Sequence, residues 1–266
     1  MNPKVSIIMG VWNGAQHLKE SINSILTQTF SDVEFVVVND ASTDDTAHIL
    51  AAYAAQDPRI TVVTNAQNLG LTRSLNVGIR ASRGTYIARM DAGDTSEPTR
   101  FAEQVQFLDE HPDHGLVGAW THVIDEDSHI IGEMKYPTDN VSLKKDLIKY
   151  NPFVHSSVMM RRDIVEKAGL YNESWKYAQD YELFFRMSKY AKIANIGAYL
   201  ASYRMSPVSI TSRKNKQQVI FAIRACIKAI REGQYGIASY RFVLKPLLGY
   251  LMPYSFKMAI KKLLNI

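Results

Sequence analysis

The chain has 266 residues, of which 46% are hydrophobic and 21% charged, a balance that excludes a disordered protein and supplies core material for one large domain or two modest ones. Its single cysteine, Cys226, excludes an internal disulfide framework and a four-cysteine zinc site. The net charge of +5 hides an asymmetry: from Leu200 onward there are 12 Lys+Arg and one acid, Glu232, whereas residues 1–199 carry 19 bases and 25 acids. The acidic part is therefore the candidate for chemistry, and the basic end the candidate for contact with something anionic.

The first apolar run, Val5–Met9, is too short for an export signal, and no stretch reaches the roughly 20 apolar residues of a spanning helix. Phe242–Tyr254 comes nearest and is broken by Lys245, Pro246 and Pro253. A cytoplasmic protein, soluble or peripheral on the inner face of the membrane, is the expectation.

Four short β-branched runs read as strands: Val5–Met9, Val33–Val38, Ile60–Thr64 and Thr85–Met90. Helical spacing fills the gaps between them. Leu18, Ile22, Ile25 and Leu26 share one face, with Asn13 and Gln16 spaced as a capping box. A second helix follows Ser42 with Asp44 and Asp45 in its first turn, and Leu71, Leu75, Gly78 and Ile79 mark a third. This rhythm predicts an α/β fold, a doubly wound, mostly parallel sheet flanked by helices. A fourth helix is expected from Glu97–Pro98, with Phe101, Val105 and Leu108 inward.

Further on, Gly115–Ile124 and Ile130–Tyr136 suit an antiparallel pair across an Asp125–Ser128 turn. Asn140–Tyr150 reads as a helix, His155–Met160 as a strand, Asp163–Ala168 as a short helix stopped by Gly169, and Asp180–Tyr190 as a helix. Lys214–Glu232 and Tyr254–Leu264 read as basic, amphipathic helices. Residues 1–212 are therefore assigned to the main domain, in halves of about 1–100 and 101–212, and residues 213–266 to a helical C-terminal accessory region.

Ligands of open α/β sheets bind beyond the carboxyl ends of the strands. Three polar clusters fall there: Gly10–Gly14, Asn39–Asp45 and Asp91–Asp94. Ordinary turns would use the same residue types. Asp40, however, adds an acid beyond what the next helix start needs, and Asp91 with Asp94 offers hard oxygens suited to a divalent cation. No Gly-x-Gly-x-x-Gly follows the first strand and no Walker loop is present, which argues against a nicotinamide dehydrogenase and a P-loop enzyme.

The residues resemble the family 2 glycosyltransferases, inverting enzymes of the GT-A fold. The resemblance runs through Val5-Ser6-Ile7-Ile8, Val36–Thr46, Asn68-Leu69-Gly70-Leu71, Tyr86–Asp94, Ser157–Arg162 and Gln179–Leu183, in order, over residues 4 to 210. It implies a nucleotide-sugar donor, most simply a UDP-sugar, and Mg²⁺ or Mn²⁺ on its diphosphate. Asp40 would read the base, with Val11, Trp12 and Asn13 lining the base pocket and Arg73 adding a contact. Asp91 would sit against the ribose and the metal, and Asp180 would be the general base; from position alone Asp180 also fits a helix N-cap. Arg204 would close over the diphosphate. His155, Trp175 and Gln179 are candidates for the acceptor side, His155 and Trp175 fitting ordinary packing as well.

Three departures from the family pattern stand out. Gly10 and Trp12 replace proline and tyrosine, Gly93 replaces the usual metal-holding acid so that Asp94 is the substitute candidate, and Gln179 replaces the glutamate beside the base. The resemblance implies an acceptor on a lipid-linked saccharide for O-antigen, capsule or another surface polysaccharide. For the basic C-terminal helices a solvated surface, a nucleic acid and an anionic membrane are the three readings. No recognition motif supports nucleic acid, and lysines around an apolar face favour the membrane. The rival function is a catalytically silent nucleotide-sugar-binding module assisting a partner enzyme, kept open by Gly93 and Gln179.

Overall fold

The computed structural model describes residues 2–205 and 215–251. Its first half is the expected alternation: β1 (Val5–Val11), α1 (Ala15–Leu26), β2 (Val33–Asn39), α2 (Thr46–Gln56), β3 (Ile60–Thr64), α3 (Leu71–Ala81) and β4 (Tyr86–Arg89). β3, β2, β1 and β4 lie side by side in that order, all parallel. Every residue of β2 and all of β1 but Gly10 is buried, because helices cover both faces and continuous apolar strands are what such burial demands.

The strand period of two divides the core. Ile8, Val36 and Ile87 point to one side, where Leu75 and Ile79 of α3 pack. Ile7, Met9, Phe35 and Val37 point to the other, against Leu18, Ile22 and Ile25 of α1.

The second half extends the same sheet. β5 (Thr95–Ser96), α4 (Arg100–Glu110), β6 (His114–Ile124), β7 (Ile130–Met134) and α5 (Asn140–Leu147) are followed by β8 (Met159–Arg161), α6 (Arg162–Lys167), α7 (Gln179–Met187) and β9 (Lys192–Arg204). β8 is antiparallel to both β4 and β6 and so bridges the two halves, while β9 runs parallel to β6 and carries β5 on its far edge. β7 returns antiparallel on β6, as the 125–128 turn predicts. The result is a nine-stranded, mostly parallel sheet.

Two C-terminal helices, α8 (Asn215–Arg231) and α9 (Tyr240–Leu251), complete the described chain. Ile223, Cys226 and Ile230 of α8 are buried in the same core layer as Tyr181 and Phe185 of α7, and Lys228 Nζ reaches Glu182 at 2.6 Å. The accessory region is thus packed onto the helix that begins with Gln179 and Asp180. Among the described residues no helix is long and apolar enough to cross a membrane. The expected helix Tyr254–Leu264 lies outside the described residues.

Four local expectations are corrected. The capping box at Asn13 and Gln16 does not form: Gly14 is the N-cap of α1, and Asn13 turns left-handed (φ 50°) so that its Oδ1 accepts from Thr43 N at 2.8 Å. Asp44 and Asp45 precede α2 instead of entering its first turn. Asp44 accepts from Thr46 N (3.0 Å) and Ala15 N (3.1 Å), tying two helix starts together. His155–Ser157 is a 3₁₀ turn, not strand, because Ser157 N closes on Val154 O at 2.9 Å. β9, the longest strand, and the two-residue β5 are unforeseen.

Gly78 sits where α3 comes closest to the sheet. A Cβ there would lie 2.7 Å from Ile8 Cγ2 and 3.2 Å from Val38 Cγ2. Alanine gains about 1 kcal/mol of helix propensity, but overpacking against stiff β-branched methyls costs about 1–3 kcal/mol. Gly78→Ala is therefore expected to lower stability in urea unfolding by about 1 kcal/mol, and a stabilised variant would refute the close packing.

Candidate active site

The carboxyl ends of β1, β2 and β4 bring the three polar clusters to one edge. Asp40 follows β2 and is almost fully buried; its backbone N bonds Val11 O at 2.8 Å. Its Oδ1 accepts from Asn65 Nδ2 (2.7 Å) and Leu69 N (2.8 Å), and its Oδ2 from Gly70 N (2.8 Å). The carboxylate thereby fixes the 65–70 loop beside the β1 tip, with one acceptor direction of Oδ2 left for a ligand. Val11 is buried, whereas Trp12 is 57% exposed on the turn that Asn13 ties to Ser42 and Thr43. Arg73, in the first turn of α3, is exposed and pairs with Glu173 at 3.8 Å.

Beyond β4 the chain is held by buried guanidinium groups. Arg89, only 1% exposed, donates to Ile8 O at 3.2 Å and to Met90 O, and pairs with Asp91 Oδ1. Arg100 donates to Ser96 Oγ (2.8 Å), Arg89 O (2.9 Å) and Val158 O (3.3 Å). Asp91 also accepts from Ser156 Oγ at 3.0 Å, yet its side chain stays about one-third exposed. Burial pushes its carboxyl up, but the Arg89 charge and the Ser156 hydrogen bond outweigh this and hold it below the usual carboxylate range.

Asp94 differs. It is buried, with Oδ1 accepting from Arg204 N at 2.8 Å and Oδ2 from Ser156 Oγ. Burial, then the charge of Asp91, pushes it up to about 7. The two acids therefore have separate tasks: Asp91 is the exposed anion and Asp94 a clamp.

Asp180 belongs to the second half of the chain, at the start of α7. Ala178, left-handed at φ 50°, is the N-cap of α7, so Asp180 is the second helical residue and its carboxylate does not cap. Asn151 Nδ2 donates to Asp180 Oδ2 at 2.8 Å, and nothing among the described residues donates to Oδ1. His155, just before Ser156, has its Nε2 hydrogen-bonded to the Tyr171 hydroxyl at 2.7 Å. Burial and the Arg89 charge drive His155 down to about 4, with Asp180 and Asp91 pulling the other way.

Residues 6–169 match the family described as Glycosyl transferase family 2. The chain belongs to that family. It is 32% identical over 255 residues to the putative glycosyltransferase EpsE of Bacillus subtilis, covering 94% of this chain and 90% of that one. It is 30% identical over 213 residues to the amylovoran biosynthesis glycosyltransferase AmsE of Erwinia amylovora, covering 79% of each.

The fold of S. aureus TarS residues 1–349, solved with UDP, superposes with a TM-score of 0.73 at 19% identity, over 97% of this chain and 75% of that one. The same fragment solved with UDP-GlcNAc gives 0.74 at 18% identity, over 92% and 71%. The mannosyltransferase PcManGT of Pyrobaculum calidifontis, solved with GDP-Man and Mn2+, gives 0.63 at 17% identity, over 94% and 70%. The protein is a glycosyltransferase of the GT-A type, with relatives in polysaccharide biosynthesis.

Trp12, Asn13, Asp40 and Asp91 lie beyond the carboxyl ends of β1, β2 and β4, and Asp180 lies at the start of α7 beside Asn151. Other expected residues do not present themselves to a ligand. Arg204 is buried and fully used: its Nε donates to Gly93 O (2.8 Å), Nη1 to Asp125 O (2.7 Å) and Glu126 O (3.0 Å), and Nη2 to Glu20 and Ser128. It braces the turn that holds Asp91 and has no donor to spare for a diphosphate. Trp175 is buried between α3 and α8, under Arg224 at 4.8 Å, and accepts from Thr72 at its carbonyl. Gln179 is buried at the start of α7.

For a cation, the described residues hold no group of three His, Cys, Asp or Glu able to ligate one. Gly93 (φ 106°) leaves open space where the family carries an acid, and Asp94 is spent on Ser156 and Arg204. Asp91 alone, exposed and anionic, fits a cation whose other oxygens come from the substrate. Sequence reasoning missed Arg89, Ser156 and Asn151, whose roles come from contacts across the sheet.

The half-buried His155, held toward its neutral form, makes stability depend on pH. Its value falls from 6.5 to about 4 on folding, so between those limits the unfolded chain binds the extra proton and stability rises with pH. Wild type should therefore lose stability relative to His155→Gln as pH is lowered from about 6.5 to 4. A constant difference across that range in urea titrations would contradict the assignment.

Proposed function

We propose that the chain moves a sugar from a nucleotide-diphosphate sugar to an acceptor hydroxyl with inversion at the anomeric carbon. The carrying observation is a partly exposed, ionised Asp91 at the β4 end together with an Asp180 carboxylate that Asn151 holds by one oxygen and that is free of capping duty. Neighbours of the same fold that bind UDP, UDP-GlcNAc and GDP-Man support a nucleotide-sugar donor. A UDP-sugar remains the simplest choice.

Asp180 takes the proton of the acceptor hydroxyl through Oδ1, while Asn151 holds Oδ2 and fixes the carboxylate's direction. The acceptor oxygen forms the new bond to the anomeric carbon from the face opposite the diphosphate. The bond from that carbon to the diphosphate oxygen breaks, and the electron pair leaves with the nucleoside diphosphate. No covalent enzyme intermediate is needed. Asp91 would hold Mg²⁺ or Mn²⁺ together with the diphosphate oxygens; such a cation, when bound, neutralises leaving-group charge. Asp40 and the exposed Trp12 ring bound the base, Asp40 accepting on its remaining lone pair.

His155 is held by Tyr171, and burial and the Arg89 charge favour its neutral form, so it adds no charge that would compete for the proton. The strongly basic end of the chain fits an acceptor carried on an anionic membrane, in keeping with a lipid-linked saccharide of surface-polysaccharide synthesis.

Asp180→Asn keeps the shape and the Asn151 side of the site but removes the base. Turnover should fall by about 10²–10⁴-fold while UDP affinity, measured by calorimetry, stays as in wild type. Full turnover in this variant would show that another group takes the proton.

A further inference from the structure

With Trp175 buried under α8, the aromatic surface for a sugar must lie elsewhere, and the structure builds one on β6, β9 and the segments that flank α5. The β6–β9 register slips on either side of Trp120 and sets Tyr199 opposite it, with ring centroids 5.8 Å apart. His122, two residues on and on the same face, stacks on Tyr199 at 4.1 Å. Trp120 Nε1 donates to Tyr136 O at 3.0 Å, and the Tyr136 ring lies 6.1 Å from that of Tyr150. Tyr150 is 41% exposed and anchored by its hydroxyl on Asp146 at 2.6 Å. Lys135 Nζ stands over both Trp120 (5.5 Å) and Tyr199 (5.3 Å) and pairs with the exposed Glu133 at 2.9 Å.

This strip is continuous with the reaction site. Tyr150 is followed directly by Asn151, the residue that holds Asp180 at 2.8 Å, and Pro152 O accepts from Asn195 of β9 at 3.1 Å. Leu116, Gly118, Trp120 and His122 alternate onto one face of β6, and Leu116 on that face shares the core layer of α7. The aromatic strip and Asp180 therefore occupy the same side of the sheet.

We propose that Tyr150, with Tyr136 and Trp120 bordering it, forms the subsite for the saccharide acceptor, a pyranose whose C–H face stacks on the exposed Tyr150 ring while Lys135 meets its hydroxyls. Rigid aromatic rings bordered by a few polar groups are the chemistry that binds a sugar, which has apolar faces and polar edges. Stacked there, an acceptor chain lies along β6 with its terminal residue beside Asn151, where its hydroxyl meets Asp180. The assignment rests on the transferase reading of Asp180 and adds to it where the acceptor runs.

The test uses the full chain and the n-octyl glycosides of glucose, galactose, mannose and N-acetylglucosamine as probes. Saturation transfer is read on the sugar-ring protons, so that binding through the octyl chain is not counted. At least one glycoside should bind wild type, and Tyr150→Ala should weaken it by about fivefold or more with UDP affinity unchanged. Trp120→Phe, which keeps a ring in the sheet, should give an intermediate loss.

No ring-proton signal from any glycoside, or equal affinity in wild type and both variants, would overturn the subsite. The transferase reading fails separately: glycoside binding that depends on Tyr150, with no donor turned over, would leave the platform and remove the reaction. Donor turnover onto a glycoside with variant-independent affinity would do the reverse.

Discussion

A positive charge buried at the carboxyl end of a parallel sheet governs the rest of this site. Arg89 closes β4 with almost no exposed surface, and a guanidinium withdrawn from water must find anions or carbonyls around it. It takes carbonyls from Ile8 and Met90 and the carboxylate of Asp91. That placement helps keep Asp91 ionised, and it helps keep His155 neutral. Ser156 then links Asp91 to Asp94, and Asp94 links the turn to the backbone of Arg204.

The halves of the molecule meet through the same groups. The first half supplies the strand ends at Val11, Asn39 and Arg89, where a nucleotide fits beyond a parallel sheet. The second supplies α7, set into place by core contacts with α8, and the long β9, whose final residue grips Gly93. Arg204 thus braces the turn that carries Asp91 and Asp94, with every donor of its guanidinium already used. The missing acid at Gly93 follows the same logic: Asp94 cannot take its place without surrendering Ser156 and Arg204.

Much of this was legible in the residues. β1 to β4 and their helices announced themselves because strands covered on both faces must be continuously apolar, and helices between them must show a spaced apolar face. Asp40 and Asp91 stood out as acids at strand ends, whereas Asp180 was singled out by the family resemblance, its position alone fitting an N-cap as well. What escaped depends on contacts between distant segments. β9 mixes polar, small and apolar residues, since it pairs on both edges with strands that differ along its length. Asn13 looked like a cap until its bond to Thr43 was seen, and Trp175 and Arg204 looked available because sequence does not report burial. The Trp120–Tyr199 pair is invisible for the same reason, being created by a register slip between strands nearly eighty positions apart in the chain.

The central claim is direct displacement at the anomeric carbon by an acceptor hydroxyl that Asp180 has deprotonated. The measurement that tests it most directly is the anomeric configuration of the product, read by proton NMR couplings after transfer from a panel of UDP-, GDP- and dTDP-sugars, with Mn²⁺, to an octyl glycoside. Displacement of this kind gives a product whose new glycosidic bond has the configuration opposite to that of the donor. A product that retains the donor's configuration, or no transfer from any donor, would contradict it.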